Sequence, residues 1–131
     1  MHRPVCELML PLPLSVLPDD SAAVAWRRMR DEAVDVLPVV DYGELLGLVL
    51  ARDLALKSPR DLPRLRVDQV MHGEPTTATP WTPVELVLRQ LLHARQDAAV
   101  IVDRGHLLGL FTLDLAAHRC GSALDAVSLR H

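Results

Sequence analysis

The sequence predicts a mixed α/β (α+β) fold of two β-α-β-β-α repeats related by a pseudo-two-fold axis. Two observations predict it. The residues Val-Cys-Glu-Leu-Met at 5–9 recur as Val-Asp-Gln-Val-Met at 67–71, and the pattern Val-Asp-x-Gly-x-Leu-Leu-Gly-Leu occurs at 40–48 and again at 102–110. Both recurrences have the same offset of 62 positions (67 minus 5 and 102 minus 40), so no net gap separates the copies. A long unit that occurs only twice predicts a pseudo-symmetric module with its ligand site in the cleft between the halves.

The repeat also sets the expected domain boundaries. Repeat 1 is residues 1–57, a polar linker follows at 58–66, repeat 2 is residues 67–118, and residues 119–131 form a C-terminal tail. A chain of 131 residues has the length of one domain. We therefore expect the two repeats to form one compact module, to which the tail adds at most one short helix.

The first repeat is predicted to begin with a short strand and a helix. Residues 14–16 are the predicted strand, and Asp20 is the predicted N-cap because its carboxylate can accept a backbone N–H of the first helical turn. The helix is predicted over residues 21–33. Its small and apolar residues fall on one face, and most of its charged residues fall on the opposite face.

An apolar hairpin and a second helix complete the repeat. Residues 36–40 are almost all apolar, which predicts a strand buried on both faces. The turn at 41–44 contains Gly43, which accepts the positive φ that tight turns need, and the returning strand is 45–50. The second helix is expected to start within residues 52–57. The second repeat has the same hairpin, at residues 98–102, 103–105 and 106–112.

The helix of the second repeat is more apolar than one buried face requires. The run Thr-Pro-Val-Glu at 82–85 predicts a capping box with proline at the first helical position, and the helix is predicted to end at about residue 95. Six apolar residues lie within nine positions: Val84, Leu86, Val87, Leu88, Leu91 and Leu92. We therefore expect a homodimer formed through the repeat helices. Its apolar interface is expected to include Val87, Leu88, Leu91 and Leu92.

Composition argues against several classes of protein. The net charge of −3 is not typical of nucleic-acid-binding proteins, and the two cysteines predict free thiols in a reducing compartment. No apolar run reaches the roughly 18 residues that cross a membrane. The apolar stretch at 8–17 is broken by prolines and is part of the repeat, so a secretory signal is not expected. We expect a cytoplasmic protein with no membrane or nucleic-acid partner.

No catalytic or metal site is predicted. The chain has six histidines, but none pairs with another at short metal-ligand spacing, and Cys6 and Cys120 belong to no CxxC motif. No nucleophilic side chain lies in a recognisable elbow or loop. We therefore expect a protein that is not an enzyme and that requires no cofactor.

The motifs together resemble a known family. The pattern Val-x-(acidic or Gln)-x-Met, the Pro-Asp-Asp at 18–20, the strand Leu-Pro-Val-Val-Asp at 37–41 and the run Gly-Leu-Val-Leu-Ala-Arg-Asp-Leu at 47–54 look like a cystathionine-β-synthase-type (CBS) domain. Two in tandem resemble the CBS pair, or Bateman module. The resemblance covers residues 5–118, so the chain looks like a stand-alone CBS-pair protein.

The resemblance implies an adenosine-containing ligand such as AMP, ADP, ATP or S-adenosylmethionine in the cleft between the repeats. In that family an Asp at the start of the second helix holds the ribose, and a Thr or Ser three residues earlier assists. Asp53 matches the ribose Asp, and Arg52 is the candidate phosphate partner. Leu50 stands where the family has the hydroxyl. In the second repeat Thr112 is in place, but Asp114 follows it by two residues instead of three.

The chemistry of the implied site depends on where the carboxylate points. A carboxylate can accept hydrogen bonds from both ribose hydroxyls, and a neighbouring helix N-terminus favours anionic groups. Moving it by one position rotates it by about 100° around the helix axis. Either the second-repeat helix starts one residue earlier and Asp114 still reaches the ribose, or the second site does not bind. In the first repeat, the alternative is that Asp53 only caps its helix.

The resemblance also implies the other walls of the site, since backbone and apolar side chains of the central strands surround the adenine. These residues are Ser15, Val16, Val36, Leu37 and Pro38 on one side, and Thr77, Ala99 and Thr112 on the other. Gly47 and Gly109 lie within strands, where glycine more often marks a bulge or a close strand crossing than a ligand contact.

Two functions remain open at this point. One is a regulatory sensor, a homodimer that binds an adenine nucleotide and passes a change of shape to an unidentified regulated protein. A ligand can do this only if it binds two conformations with different affinity. The alternative is a structural dimerisation module with degenerate pockets. The missing hydroxyl at Leu50 and the shifted Asp114 favour that alternative.

Overall fold

The helices and strands of the second repeat follow those of the first at a constant offset. The computed structural model describes residues 3–11, 14–114 and 116, so the predicted tail at 119–131 lies outside the described residues. The helices are α1 (Ala22–Glu32), α2 (Ala51–Ala55), α3 (Val67–Val70) and α4 (Val84–Ala94), and single 3-10 turns occur at Val5–Glu7 and Leu62–Arg64. The strands are β1 (Leu10–Pro11), β2 (Val36–Asp41), β3 (Glu44–Leu50), β4 (His72–Gly73), β5 (Thr76–Ala78), β6 (Ala98–Asp103) and β7 (His106–Thr112).

The chain divides into two compact units, each with its own core. Residues 13–75 form the first-repeat unit, and residues 1–12 together with 76–131 form the second-repeat unit. The opening segment of each sequence repeat therefore packs in the unit built mainly from the other repeat. The repeat in the sequence and the compact unit in space have different boundaries.

Backbone hydrogen bonds at the helix starts hold the exchanged segments. In the first-repeat unit the Val67 N–H donates to the Asp20 carbonyl at 2.8 Å, and the Ala22 N–H donates to the Leu65 carbonyl at 2.8 Å. The equivalent residues make the same two bonds in the second-repeat unit: Val5 N–H to Thr82 O at 2.8 Å and Val84 N–H to Arg3 O at 2.9 Å. Each bond satisfies a backbone donor at a helix start that has no partner within its own helix.

Each unit contains one sheet built on the predicted hairpin. The first-repeat sheet has the order β2-β3-β4, and the second-repeat sheet has the order β1-β7-β6-β5 with β5 parallel to β6. The predicted strand at 14–16 is reduced to one parallel bridge, between Val16 and Val39. Both hairpins shift register after the equivalent residues Val39 and Ile101. The predicted mixed fold of two repeats is confirmed.

The two hairpin turns have the same left-handed geometry. Tyr42 and Gly43 have φ values of 51° and 77°, and Arg104 and Gly105 have φ values of 51° and 80°. Two successive positive φ values define the turn type whose twist matches that of paired strands, and glycine adopts it without steric cost. The predicted glycine-dependent turns are confirmed.

Both predicted N-caps are wrong. Ser21 caps α1, because its hydroxyl accepts from the Val24 N–H at 3.2 Å. The Asp20 carboxylate instead accepts from the Leu17 N–H at 2.9 Å and closes the preceding turn. At α4 the N-cap is Pro83, whose side chain has no polar atom, and the Thr82 hydroxyl instead accepts from the Thr79 N–H at 3.1 Å. In both cases a neighbouring turn uses the polar side chain that the sequence assigns to the helix.

Three of the four α4 side chains predicted for the subunit interface are covered by their own unit, so the prediction is wrong for Val87, Leu88 and Leu91. Val87, Leu88 and Leu91 are each 0% exposed, and they share a core with Phe111 on β7. Val5 and Leu8 of the exchanged N-terminal segment belong to the same core. The helix therefore packs against both the sheet and the exchanged segment. This explains why it carries more than one apolar face. Leu92 is half-buried, and Leu86 is 44% exposed.

The predicted linker at 58–66 is also packed. Leu62 begins the 3-10 turn Leu62–Arg64, is buried, and belongs to the first-repeat core together with Met29 and Leu54. The Leu65 carbonyl accepts the first N–H of α1, as described above. The segment between the repeats is thus part of the first-repeat unit and not a free connection.

Substitution of α4 residues distinguishes core from surface. We expect Leu88→Glu to lower the free energy of unfolding by about 4 kcal/mol or more, because it buries an unpaired carboxylate and removes core volume. The control Leu86→Glu changes the same residue type on the same helix at a 44% exposed position, and we expect a change within about 0.5 kcal/mol. Urea unfolding followed by circular dichroism measures both. Equal stability of the two variants would contradict the burial of Leu88.

Close strand contacts explain the two glycines inside strands. A Cβ at Gly47 would overlap the His72 carbonyl oxygen, and a Cβ at Gly109 would lie 2.6 Å from the Leu10 carbonyl oxygen. These are the positions where β4 pairs with β3 and where β1 pairs with β7. The interpretation of both glycines as residues at close strand crossings is confirmed.

The crossing can be tested with two Gly→Ala substitutions on paired strands. We expect Gly47→Ala to lower the free energy of unfolding by about 1–3 kcal/mol, because the methyl group forces β4 away from β3. Gly73 pairs with Gly47, yet a Cβ there would meet nothing within 4 Å. Gly73→Ala should therefore be neutral or slightly stabilising. Urea unfolding of the two variants side by side gives the answer, and a Gly47→Ala variant as stable as Gly73→Ala would refute this explanation.

Candidate functional site

The predicted ligand-binding residues Leu50, Arg52 and Asp53 lie where β3 passes directly into α2. Leu50 is the N-cap of α2 in an extended conformation, and its side chain makes no cap. The junction is held instead by the Ala51 N–H, which donates to the Asp35 carbonyl at 2.8 Å. Since α2 has only five residues, its dipole is small, and the expected preference of this helix start for anions is weak. Charged side chains must therefore provide most of the electrostatics here.

The Asp53 carboxylate lies in the first turn of α2 and is paired with a histidine. Its Oδ2 makes a short hydrogen bond with Nε2 of His72. The Asp53 side chain is 29% exposed and that of His72 is 57% exposed, so the pair is accessible from solvent. Leu50 makes no side-chain cap, and the hydrogen bond that defines the carboxylate position is the one to His72. The Asp53 carboxylate is therefore paired with a side chain outside its own helix.

The exchanged segment brings His72 to this place. The Arg66 N–H donates to Gln69 Oε1 at 2.8 Å and closes the first turn of α3. The Arg66 guanidinium also donates to the Asp68 carboxylate at 2.5 Å, and this hydrogen bond lowers the pKa of Asp68. His72 follows α3 directly, on β4, where it pairs with Leu48 of β3. Sequence reasoning missed His72, because 19 positions separate it from Asp53.

The other predicted ligand-binding residues of the first repeat are mostly buried, and several of them make backbone hydrogen bonds. The Val16 N–H donates to the Pro38 carbonyl at 3.0 Å, and the Val40 N–H donates to the Val16 carbonyl at 3.0 Å. The Ser15 carbonyl accepts from the Arg28 guanidinium at 2.7 Å, a contact that sequence reasoning missed. Four of the predicted wall residues are buried: Val16, Val36, Leu37 and Pro38. Arg52 is exposed at the second position of α2.

The second-repeat candidates lie on β5, β6 and the end of β7. Thr77 is exposed on β5, Ala99 is 0% exposed on β6, and Thr112 is the last residue of β7. Gln96 fixes the start of β5, because its Oε1 accepts from the Thr76 N–H at 2.9 Å and also from the Thr76 hydroxyl. Sequence reasoning missed this contact as well.

The structure places Asp114 in register with Arg52. Leu113 and Asp114 are helical, and the Leu113 N–H donates to the Asp97 carbonyl at 2.9 Å, as Ala51 does to Asp35. The second-repeat helix therefore begins at the residue equivalent to Ala51, with no shift. The position of Asp53 corresponds to Leu115, which lies outside the described residues. An Asp53-like carboxylate is thus missing from the second repeat.

A separate groove lies on the first-repeat unit. It has a volume of about 420 Å³ and is lined mainly by α1, α2 and the segment that follows α2. Arg27, Arg30 and Lys57 supply three positive charges, and Trp26 supplies an aromatic surface. None of the predicted ligand-binding residues lines this groove.

The described residues contain neither a metal-binding cluster nor a helix that could cross a membrane. Within residues 3–11, 14–114 and 116, no group of three or more His, Cys, Asp or Glu side chains could hold a metal ion. No helix in the same part of the chain is long and apolar enough to cross a membrane.

A family model and a similar known protein both identify a CBS domain in this chain. The family model described as CBS domain matches residues 5–59. The CBS domain-containing protein YhcV of Bacillus subtilis is 30% identical over an alignment of 123 residues, and the match covers 87% of this chain and 87% of that protein. The inosine-5'-monophosphate dehydrogenase of Korarchaeum cryptofilum is 31% identical over 100 residues. That match takes in 76% of this chain but only 20% of the enzyme.

Comparison with solved structures shows the same fold. A crystal structure of a CBS domain superposes with a TM-score of 0.83 at 19% identity and covers 92% of this chain and 98% of that chain. The CBS domain of the bacterial CNNM/CorC family Mg²⁺ transporter in complex with ATP superposes with a TM-score of 0.76 at 23% identity. It covers 90% of this chain and 87% of that chain.

Proposed function

Because the chain belongs to the CBS domain family, we propose that this regulatory module binds an adenosine-containing nucleotide through its first repeat and signals to a partner protein without catalysing a reaction. The observation that carries the proposal is the position of Asp53, in the first turn of α2 directly after β3 and open to solvent. It matches the ribose-binding Asp of the family. The ATP complex of a protein with the same fold supports the ligand class.

The Asp53 carboxylate keeps enough acceptor capacity for a ribose. An ionised carboxylate has two oxygens and about four acceptor sites, and His72 occupies one of them on Oδ2. The remaining sites can accept both ribose hydroxyls. Hydrogen bonds to a charged acceptor are worth about 1.5–3 kcal/mol, so this residue would carry a large part of the affinity. Arg52, one position earlier, is the proposed phosphate partner.

We propose one nucleotide site per chain rather than two. At the position equivalent to Asp53 the second repeat has Leu115, and at the position equivalent to Arg52 it has Asp114. A leucine cannot accept a hydroxyl hydrogen bond, and a carboxylate in the place of the guanidinium would repel a phosphate. The residues at the equivalent positions of the second repeat are therefore unsuited to binding a nucleotide.

Titration calorimetry with AMP, ADP, ATP and S-adenosylmethionine tests the site. We expect wild type to bind at least one of them with one site per chain. Asp53→Ala should weaken binding about ten- to a hundredfold, because the sugar hydroxyls lose a charged acceptor worth about 1.5–3 kcal/mol. The control Asp114→Ala removes the same group from the second repeat and should change affinity less than about twofold.

The same titration decides between the proposal and the structural alternative. No heat from wild type with any of the four ligands would favour a dimerisation module with degenerate pockets, which the missing hydroxyl at Leu50 supports. Equal affinity of wild type and Asp53→Ala would mean that another residue holds the sugar. For regulation, the ligand must also bind two conformations with different affinity, because otherwise it shifts no equilibrium.

We also propose that the module is a homodimer whose helices contribute exposed apolar side chains. Leu86 on α4 is 44% exposed, and Leu56, directly after α2, is 85% exposed. We expect wild type to sediment as a dimer at micromolar concentration, and Leu56→Glu and Leu86→Glu each to weaken the dimer about tenfold or more. Leu56 is the C-cap residue of α2, whereas Leu17, which is 47% exposed, is neither in a helix nor at a helix cap. Leu17→Glu is therefore the control and should leave the dimer intact. A wild-type monomer would contradict this proposal.

A further inference from the structure

Asp53 belongs to the first repeat and His72 to the exchanged segment of the second, so the pair lies within the first-repeat unit. At the offset of 62, His72 corresponds to Leu10 and Asp53 corresponds to Leu115 (72 minus 10 and 115 minus 53). The sequence therefore has leucine at both equivalent positions of the second-repeat unit.

The short strand that carries His72 has an equivalent in the second-repeat unit. Leu10 is on β1 and pairs with Leu110 of β7, as His72 on β4 pairs with Leu48 of β3. In both repeats a glycine lets the short strand approach its neighbour, Gly47 in the first and Gly109 in the second. Since β1 makes the same pairing with leucine in place of histidine, this strand contact does not require His72.

We propose that His72 is a positioning residue, which holds the Asp53 carboxylate in the orientation that accepts the ribose hydroxyls. The inference rests on the proposed nucleotide function and adds a residue to that site. His72 is suited to this role because β4 is fixed against β3 and because its Nε2 reaches Oδ2 of Asp53. The second carboxylate oxygen, Oδ1, then has a defined direction before the ligand arrives.

If His72 orders the Asp53 side chain before the nucleotide binds, binding no longer includes the free-energy cost of ordering that side chain. Immobilising a flexible side chain on binding costs about 0.5–1.5 kcal/mol. Loss of the His72 contact should therefore weaken nucleotide binding about two- to tenfold, which is less than the loss of Asp53 itself. The hydrogen bond requires a donor at this position, and an uncharged amide N–H can supply it.

The test is a double-mutant cycle in nucleotide affinity, measured by titration calorimetry with AMP and with ATP. The variants are His72→Leu, which copies the residue of the second repeat, His72→Gln, which keeps an N–H donor, Asp53→Ala, and Asp53→Ala combined with His72→Leu. We expect His72→Leu to weaken binding about two- to tenfold and His72→Gln to stay within about twofold of wild type. In the Asp53→Ala background, His72→Leu should have no further effect, because its target is gone. Melting temperatures without ligand should be similar for wild type, His72→Leu and His72→Gln.

Each other outcome overturns the inference in an identifiable way. If Asp53→Ala weakens binding but His72→Leu does not, the proposed function stands and the positioning role is wrong. If His72→Leu weakens binding as much with Asp53→Ala as without it, His72 acts independently of Asp53. If His72→Gln is as weak as His72→Leu, donation to the carboxylate is not what matters. If wild type binds neither nucleotide, or Asp53→Ala has no effect, the proposed site fails and this inference fails with it.

Discussion

The close contact between a long central strand and a two-residue strand is the constraint on which both units depend. Gly47 on β3 and Gly109 on β7 have no side chain, and in both places a carbonyl oxygen of the short strand occupies the space of a Cβ. The contact holds the exchanged opening segment of each repeat on the sheet of the other. In the first-repeat unit it also sets the position of His72 and, through it, the carboxylate of Asp53. The fold and the candidate site thus share one steric requirement.

The exchange of opening segments could not be predicted from the sequence. The constant offset predicted the hairpins and the long helices to within a residue or two, because periodicity and glycine turns are local signals. Val5 and Val67, however, begin two copies of the same motif, and each could have packed on either of two similar units. Local signals do not distinguish these arrangements, because both bury the same side chains and satisfy the same helix-start donors. Only the tertiary structure identifies the one that forms.

Competition between neighbouring groups explains the errors at the helix ends and on α4. Asp20 and Ser21 are adjacent, both are good N-caps, and the preceding turn takes the carboxylate. A similar ambiguity applies to the apolar surface of α4. A helix with two apolar faces needs two covering layers, and the sequence does not say whether the second layer comes from the same chain or from another subunit. Here Val5 and Leu8 supply it, so Leu88 is a core residue.

Differences between the repeats carry more functional information than their similarities. Residues and hydrogen bonds that the shared fold requires occur in both repeats, as the matched glycines and the matched bonds at the helix starts show. The Asp53–His72 pair has leucine at both equivalent positions, so the two units do not share it. Asp53 was predicted because a motif marks it, whereas His72 directly follows the Val-Asp-Gln-Val-Met motif and was not predicted. The structure brings the two side chains together. Aligning the repeats and asking which polar residues lack a polar counterpart would have selected both residues, Asp53 against Leu115 and His72 against Leu10. That argument supports the proposal of a nucleotide site in the first-repeat unit, to which Asp53 and His72 both belong.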